Sequence, residues 1–379
     1  MPTSTLSRGI ADLLTRWSGT SAQDCQGLPQ AKQPAAVWGR ALWPQWLLAT
    51  VCTFALASVQ ANPGGQVFSA DEQGASLTRI LLEDGQRLSL DLSISPHNVQ
   101  ASADGRYLLA VGERSGADHG HGKQATPGFL QLFRIDDFQQ GLLAEIAVGA
   151  HPAHVVSDLS GRHAFVTNAG ANSVSVIDLQ ARKSIASIAT GKSPHGLRLS
   201  PDGKELYVAN VQDGSVSVLD VNTRQEVARI AVGKAPVQVG FTPDGKRVFV
   251  SLRDENSVAV IDSQTRKVLA KVAVGRIPIQ VHATPDGRLV LVANEGSKAA
   301  PDNSVSVIDS ERLEVVATYQ VGQGAHGVAV DDSGSFAFVT NIHDNSLSVI
   351  DLQAGKVITT YATGRGPNGV TWAPTAQQD

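Results

Sequence analysis

Imidazole binds late transition metals and carries protons near neutral pH, so the ten histidines of the chain are the place to begin. His97 and His195 each follow a recurring proline (Pro96, Pro194), His326 follows Ala325 in the same slot, and His154 lies two residues after Pro152. Read along the chain, the pairs after this slot are His97-Asn98, Ala153-His154, His195-Gly196, Val237-Gln238, Ile279-Gln280, His326-Gly327 and Asn368-Gly369. Every pair carries an imidazole or a carboxamide. If the fold brings the slots to one axis, His97, Asn98, His154, His195, Gln238, Gln280, His326 and Asn368 form a ring able to hold a small ligand.

A second cluster is Asp118-His119-Gly120-His121, with Glu113 upstream. Imidazole with carboxylate suits Zn, Cu or Ni, and the glycines let a loop wrap an ion. The candidate metal ligands are therefore His119, His121, His97, His154, His195 and His326. Against this stands an ordinary reading, in which a channel mouth is wet, its polar residues are solvated, and a His-Gly-His loop is a surface insertion.

The elements that must position these residues are written repeatedly. The clearest copy, 194–233, has four runs rich in β-branched residues (196–200, 205–209, 215–219 and 226–232) separated by turn signals such as Pro201-Asp202-Gly203 and Asp213-Gly214. Such runs predict four antiparallel strands. A unit-ending glycine recurs at 149, 191, 233, 275, 322 and 364, a step of 42 residues broken once by a step of 47. A period near 40 residues with four strands per unit marks a β-propeller.

The opening slot occurs seven times, at Pro96, Pro152, Pro194, Pro236, Pro278, Ala325 and Pro367. The last unit has only its first strand, 369–374. The missing three are found upstream as 67–70, 76–80 and 87–94 in the same register. The expectation is an all-β, seven-bladed β-propeller of four-stranded blades, one blade closed by the N- and C-terminal strands. Closure removes the open sheet edge that would template aggregation.

In a four-stranded blade the connection from strand four to the next strand one lies on the same face as the loop from strand two to three. His97, His151, His154, His195 and His326 belong to the first kind of connection, and His119, His121 and His343 to the second. Only His163 and His282 fall elsewhere. The two insertions, 112–129 and 295–303, rise over that same face. No acidic residue stands at a regular channel position to partner the histidines. The remaining recurrent polar residues read as structural. Asp202, Asp244 and Asp286 belong to Pro-Asp-Gly turns, Asp178, Asp220, Asp262, Asp309 and Asp351 end third strands, and Asn168, Asn210, Asn294 and Asn341 cap second strands.

Phe-Val-Thr-Asn at 165–168 and 338–341, Tyr-Val-Ala-Asn at 207–210 and Leu-Val-Ala-Asn at 291–294, with Asn-Ser-Val-Ser-Val-Ile-Asp-like text after them, resemble the YVTN-repeat, YncE-like β-propellers. The resemblance covers 62–374. It implies a secreted or surface protein of bacterial or archaeal type, and it is specific for fold rather than activity, since related propellers carry heme, quinone cofactors or lactonase activity.

Residues 41–57 form the one long apolar run, preceded by Arg40 and followed by Val59 and Ala61 at signal-peptidase spacing. The expected organisation is an N-terminal extension with signal peptide over 1–61, cleaved after Ala61, and a single propeller domain over 62–379. Interruption by Pro44 and Gln45 makes the apolar run short for a membrane span, so no integral membrane segment is expected after signal removal. The 39 residues before Arg40 are long for a signal, and the reading takes 1–36 as outside the natural protein. Both cysteines, Cys25 and Cys52, precede residue 62, and the remainder holds 27 basic and 33 acidic residues. No basic stripe points to nucleic acid.

Three functional readings follow. The first is a non-enzymatic periplasmic or secreted propeller that binds a metal ion, small ligand or periplasmic protein at a His-rich face, in its sharpest form a metal accessory protein. The second is a propeller enzyme, a lactonase or cofactor-dependent oxidoreductase, with one of the ring histidines as base. No c-type heme attachment is available to a mature chain without cysteine. The third is a structural surface protein.

Overall fold

Each copy of the repeat folds as its alternation dictates. In the third blade the strands are Pro194–Leu199, Glu205–Asn210, Ser215–Asp220 and Gln225–Ala231. Strand two is buried on both faces except at its first residue, while strand four alternates and keeps one face in water. The computed structural model describes residues 63–116 and 127–375. These form seven four-stranded antiparallel sheets. The first strands of successive blades pack against one another around an axis, the seventh against the first, so the structure is a seven-bladed β-propeller.

The closing blade is built from both ends of this unit. Pro367–Ala373 is its strand one, and Gln66–Asp71, Ser76–Leu81 and Arg87–Asp91 follow as strands two to four. The terminal strands pair from Gln66↔Ala373 to Asp71↔Pro367. Trp372 Nε1 donates to Gly64 O at 2.9 Å, clasping the ends. One boundary differs from expectation. Strand four ends at Asp91, with Leu92 N still donating to Ala75 O at 2.7 Å, and Ile94 already opens the next blade.

The core lies between blades. Tyr207, Val216 and Val218 of blade three pack with Val239, Val248 and Val250 of blade four, and equivalent clusters recur around the ring. The five-residue excess in blade five extends a hairpin, so that strands two and three run Leu289–Ser297 and Ala300–Asp309 and pair out to Ser297↔Ala300. The signal-peptide features and the His119–His121 loop lie outside the described residues. No helix among the described residues is long and apolar enough to cross a membrane.

The repeated asparagines act differently from caps. Asn210 Nδ2 donates to Ser215 Oγ at 3.1 Å and to Ser217 Oγ at 2.8 Å, and Asn168, Asn294 and Asn341 do the same to their own serine pairs. Each amide thus braces strand two against strand three at the buried end of the pair. The aspartates behave as read. Asp220 Oδ1 accepts from Thr223 N at 2.7 Å, and Asp202 Oδ1 from Ser200 Oγ at 2.7 Å and Lys204 N at 3.1 Å.

Candidate metal centre

Strand one of every blade is irregular at its first residues. The pairing to strand two slips between Pro194 and Leu197, between Pro236 and Val239, and at the matching place in the other blades. Such a bulge re-aims side chains and leaves backbone groups unpaired. It is why residues one and two after the slot, which a regular strand would send to opposite faces, both reach the channel mouth.

The mouth gathers three imidazoles. Ligand-capable nitrogens of His97, His154 and His195 all lie within 4.8 Å of one another, and ring centroids are 4.9–5.8 Å apart. His97 Nε2 and His195 Nε2 are 3.1 Å apart. Their other nitrogens are committed. His97 Nδ1 faces Glu72 Oε1 at 3.0 Å, and His195 Nδ1 faces Val237 O at 3.2 Å. The Glu72 carboxylate and the Val237 carbonyl accept only, so hydrogen sits on both Nδ1 atoms, with Asn368 Nδ2 a further neighbour of His97 Nδ1 at 3.2 Å, and the two Nε2 atoms face each other. Two lone pairs at that distance need a positive charge between them, a proton or a metal ion.

His154 is fully buried, and Gln238 Nε2 lies 3.2 Å from its Nδ1. Gln238 Oε1 already accepts from Val239 N at 2.8 Å, so the amide nitrogen is the atom that donates to His154. The ring hydrogen of His154 is then on Nε2, which is buried and has no partner among the described residues.

The electrostatics follow from these contacts. Burial alone would push the Glu72 carboxyl up, but the His97 charge and hydrogen bonds from His97 and Asn368 outweigh it and hold it at about 2. Burial works against a charged His97, yet Glu72 prevails and raises it. Burial and then the His97 charge hold His195 down at about 3. Burial and then the neighbouring His195 and His97 keep His154 well below the ordinary imidazole range. His97 keeps 25% side-chain exposure because it lines a cavity shared with His195.

The other sequence candidates occupy different places. His326 stands outside the cluster, its Nδ1 on Asn368 O at 3.2 Å and its Nε2 3.7 Å from Glu295 Oε2; burial first, then the His97 charge, holds it down at about 4. Asn98 Oδ1 accepts from Val155 N at 3.4 Å, and Gln280 Oε1 from Val328 N at 3.3 Å. These amides stitch each bulge to the next blade. Asn368 Nδ2 donates to Glu72 Oε2 at 2.7 Å, supporting the carboxylate that holds His97.

The expectation that the histidines lack acidic partners is overturned. Glu72, Glu113 and Glu295 stand at one repeat position, immediately after the slot that holds Asn168 or Asn210 in other blades. They face His97, His151 and His326 respectively, at 3.0, 2.8 and 3.7 Å. The signal was present as a glutamate recurring after the second strand, but its significance depends on the loop turning over the channel.

The YNCE-like beta-propeller model matches residues 280–378. The chain belongs to the YncE-like β-propeller family. The cytochrome D1 heme domain model matches residues 88–278, about half of the chain, so the blades of this YncE-like propeller share their repeat with that family as well. No curated protein matches by sequence. Among solved structures, Kuenenia stuttgartiensis hydrazine synthase superposes with a TM-score of 0.64 at 21% identity, covering 77% of this chain and 99% of that one. A functionally unknown protein from Desulfotomaculum acetoxidans gives 0.67 at 15%, covering 83% and 100%. A putative 6-phosphogluconolactonase from Bacteroides fragilis gives 0.65 at 17%, covering 82% and 98%. At these identities the likeness is one of fold.

Proposed function

We propose that this propeller is a periplasmic or secreted, non-enzymatic binding protein that holds one Zn, Cu or Ni ion at the mouth of its channel. His97 and His195 are the ligands through Nε2, and His154 closes the third side of the cluster. The observation that carries the reading is the pair of Nε2 atoms 3.1 Å apart, each on a ring whose Nδ1 already faces an acceptor. Metal-binding imidazoles ordinarily have such a carboxylate or carbonyl behind them. The neutral state that burial imposes on His195 is the state that ligates. Secretion rests on the apolar run 41–57 with Val59 and Ala61 behind it.

A heme reading draws on the cytochrome D1 heme domain match, whose span includes His97, His154 and His195. The described residues fit it poorly. The cavities that His195 lines measure about 240 and 310 Å³, at the lower end of small-molecule sites, and the imidazoles converge on one another rather than on a flat ring.

The test is titration of chelator-treated protein with Zn, Cu and Ni, read by calorimetry and elemental analysis. One equivalent bound by the natural chain and none by a His97→Ala/His195→Ala chain supports the reading. No uptake, or equal uptake by both chains, overturns it.

A further inference from the structure

His195 also lines a second cavity, of about 310 Å³, which His97 does not border. Part of its wall is aliphatic. Val237 and Ile279 occupy the position after the slot, which carries histidine in blades one, three and six, and Val211 and Ile277 join them in the lining. The charged and polar part of the wall is Arg253, Glu295 and His326. Ile277 is held there under strain. Its φ is 52°, and among the described residues it is the one β-branched residue with a positive φ. The corresponding turn holds His151, Ser193, Ala235, Gly324 and Gly366 in other blades, and it is closed alike: Glu295 N donates to Ile277 O at 3.0 Å, as Arg253 N does to Ala235 O at 3.0 Å. The fold requires the turn but not the branched side chain. An isoleucine where glycine serves in other blades is strain of the kind that collects at functional sites.

The second observation is independent. His326 Nδ1 faces Asn368 O at 3.2 Å. A carbonyl only accepts, so the ring hydrogen is on Nδ1 and Nε2 presents a lone pair. Burial, ahead of the His97 charge, lowers His326 to about 4, which leaves the ring neutral at neutral pH. Its Nε2 stands 3.7 Å from Glu295 Oε2, and the Glu295 carboxylate accepts no hydrogen bond among the described residues. Burial raises the Glu295 carboxyl, as expected of a carboxylate short of donors. Two acceptors thus face one cavity with no donor between them. No third ligating side chain gathers with them among the described residues, which disfavours a metal ion and favours an ammonium group donating to both.

Arg253 brings the opposite charge to the same cavity. Its Nε donates to Asp254 Oδ1 at 2.8 Å, and its Nη groups have no partner among the described residues. Arg253 and Glu295 border one space yet form no ion pair with each other.

We propose that this cavity is a binding site for a free amino acid with an aliphatic side chain. The ligand's ammonium donates to His326 Nε2 and Glu295, its carboxylate is received by the Nη groups of Arg253, and its side chain packs on Val237, Ile277 and Ile279. A guanidinium fork engages a carboxylate through both oxygens. A volume of about 310 Å³ suits one small molecule of this kind. The site uses none of the nitrogens assigned to the metal ion and stands apart from that reading.

The experiment uses chelator-treated full-length protein, so its outcome does not depend on an ion at His97 and His195. Calorimetric titration with leucine should show saturable binding. Isocaproate, which lacks the amine, and isoamylamine, which lacks the carboxylate, should each bind roughly tenfold or more weakly. Glu295→Gln should weaken leucine binding and narrow its advantage over isocaproate, and Arg253→Gln should do the same relative to isoamylamine. Ile277→Gly should melt no lower than the natural chain, since glycine adopts a positive φ freely, yet bind leucine more weakly. No leucine uptake by the natural chain, equal binding of leucine and both analogues, or undiminished binding in the charge variants or in Ile277→Gly overturns the proposal. Should the variants fail to fold, crystals of the natural chain soaked in leucine decide. Density between Arg253 and Glu295 supports the site, and density only elsewhere overturns it.

Discussion

The two ends of the channel carry polar residues at the same repeat interval and use them in opposite ways. At the end bearing the Pro-Asp-Gly turns, Asp202, Asp244 and Asp286 each accept from a hydroxyl two residues back and a backbone N–H two residues on. A groove of about 700 Å³ opens there among Asp244, Arg247, Asp286 and Arg288, but Asp244 and Asp286 are satisfied within their own turns. At the other end the ring side chains reach from blade to blade. Glu72 of the closing blade holds His97 of the first, Gln238 of the fourth holds His154 of the second, and His97 meets His195 of the third. Repetition at one end satisfies each turn aspartate within its own turn, whereas departure from repetition at the other joins side chains of several blades around a shared space. Chemistry is to be sought where neighbouring copies differ.

The comparison can be broken in several places, in decreasing order of effect. Removing one ligand, as in His195→Ala, should abolish stoichiometric metal uptake in calorimetry while the fold, read by circular dichroism, persists. Retained uptake would place the ion elsewhere. Glu72→Gln removes the charge behind His97 and should weaken metal binding roughly 10–100-fold, an effect with no counterpart at Asp244. Gln238→Glu should act in the other direction. A carboxylate accepts from both Val239 N and His154 Nδ1, which moves the ring hydrogen off Nε2 and frees a third lone pair for the ion, so affinity in the same titration should rise.

The next effect concerns the blades themselves. Asn210→Ala strands two buried serines and should cost roughly 2–3 kcal/mol in denaturant unfolding, with metal affinity unchanged. The smallest effect belongs to the turn aspartates. Hydrogen bonds from Ser200 and Thr242 respectively, then from the following backbone, lower Asp202 and Asp244 from 3.8 to about 2. A depressed folded value means that the stabilisation is present above about pH 4 and is lost as pH falls toward 2. Asp202→Asn/Asp244→Asn should therefore flatten the acid limb of the stability curve by less than about 1 kcal/mol per site, since both carboxylates are exposed.

The amino-acid sequence by itself determined the seven blades, their strands and the joining of both ends in one sheet. Alternation, turn residues and a fixed period are local properties, and 67–70 and 369–374 could be placed in one blade by counting alone. It also marked the slot where His97, His154, His195 and His326 enter the channel. Only the tertiary structure decided which of these meet. His154 stands one residue later than its counterparts, a shift that a regular strand would turn outward and the bulge turns in. His326 enters at the same slot as His195 yet is drawn away to Glu295. Glu72 stands to His97 as Glu295 stands to His326, on the loop after strand two of the blade just before it in the chain, and reaches it because that loop turns over the channel. Those contacts depend on distances across the axis between strands remote in the chain, and no period along a single chain encodes them.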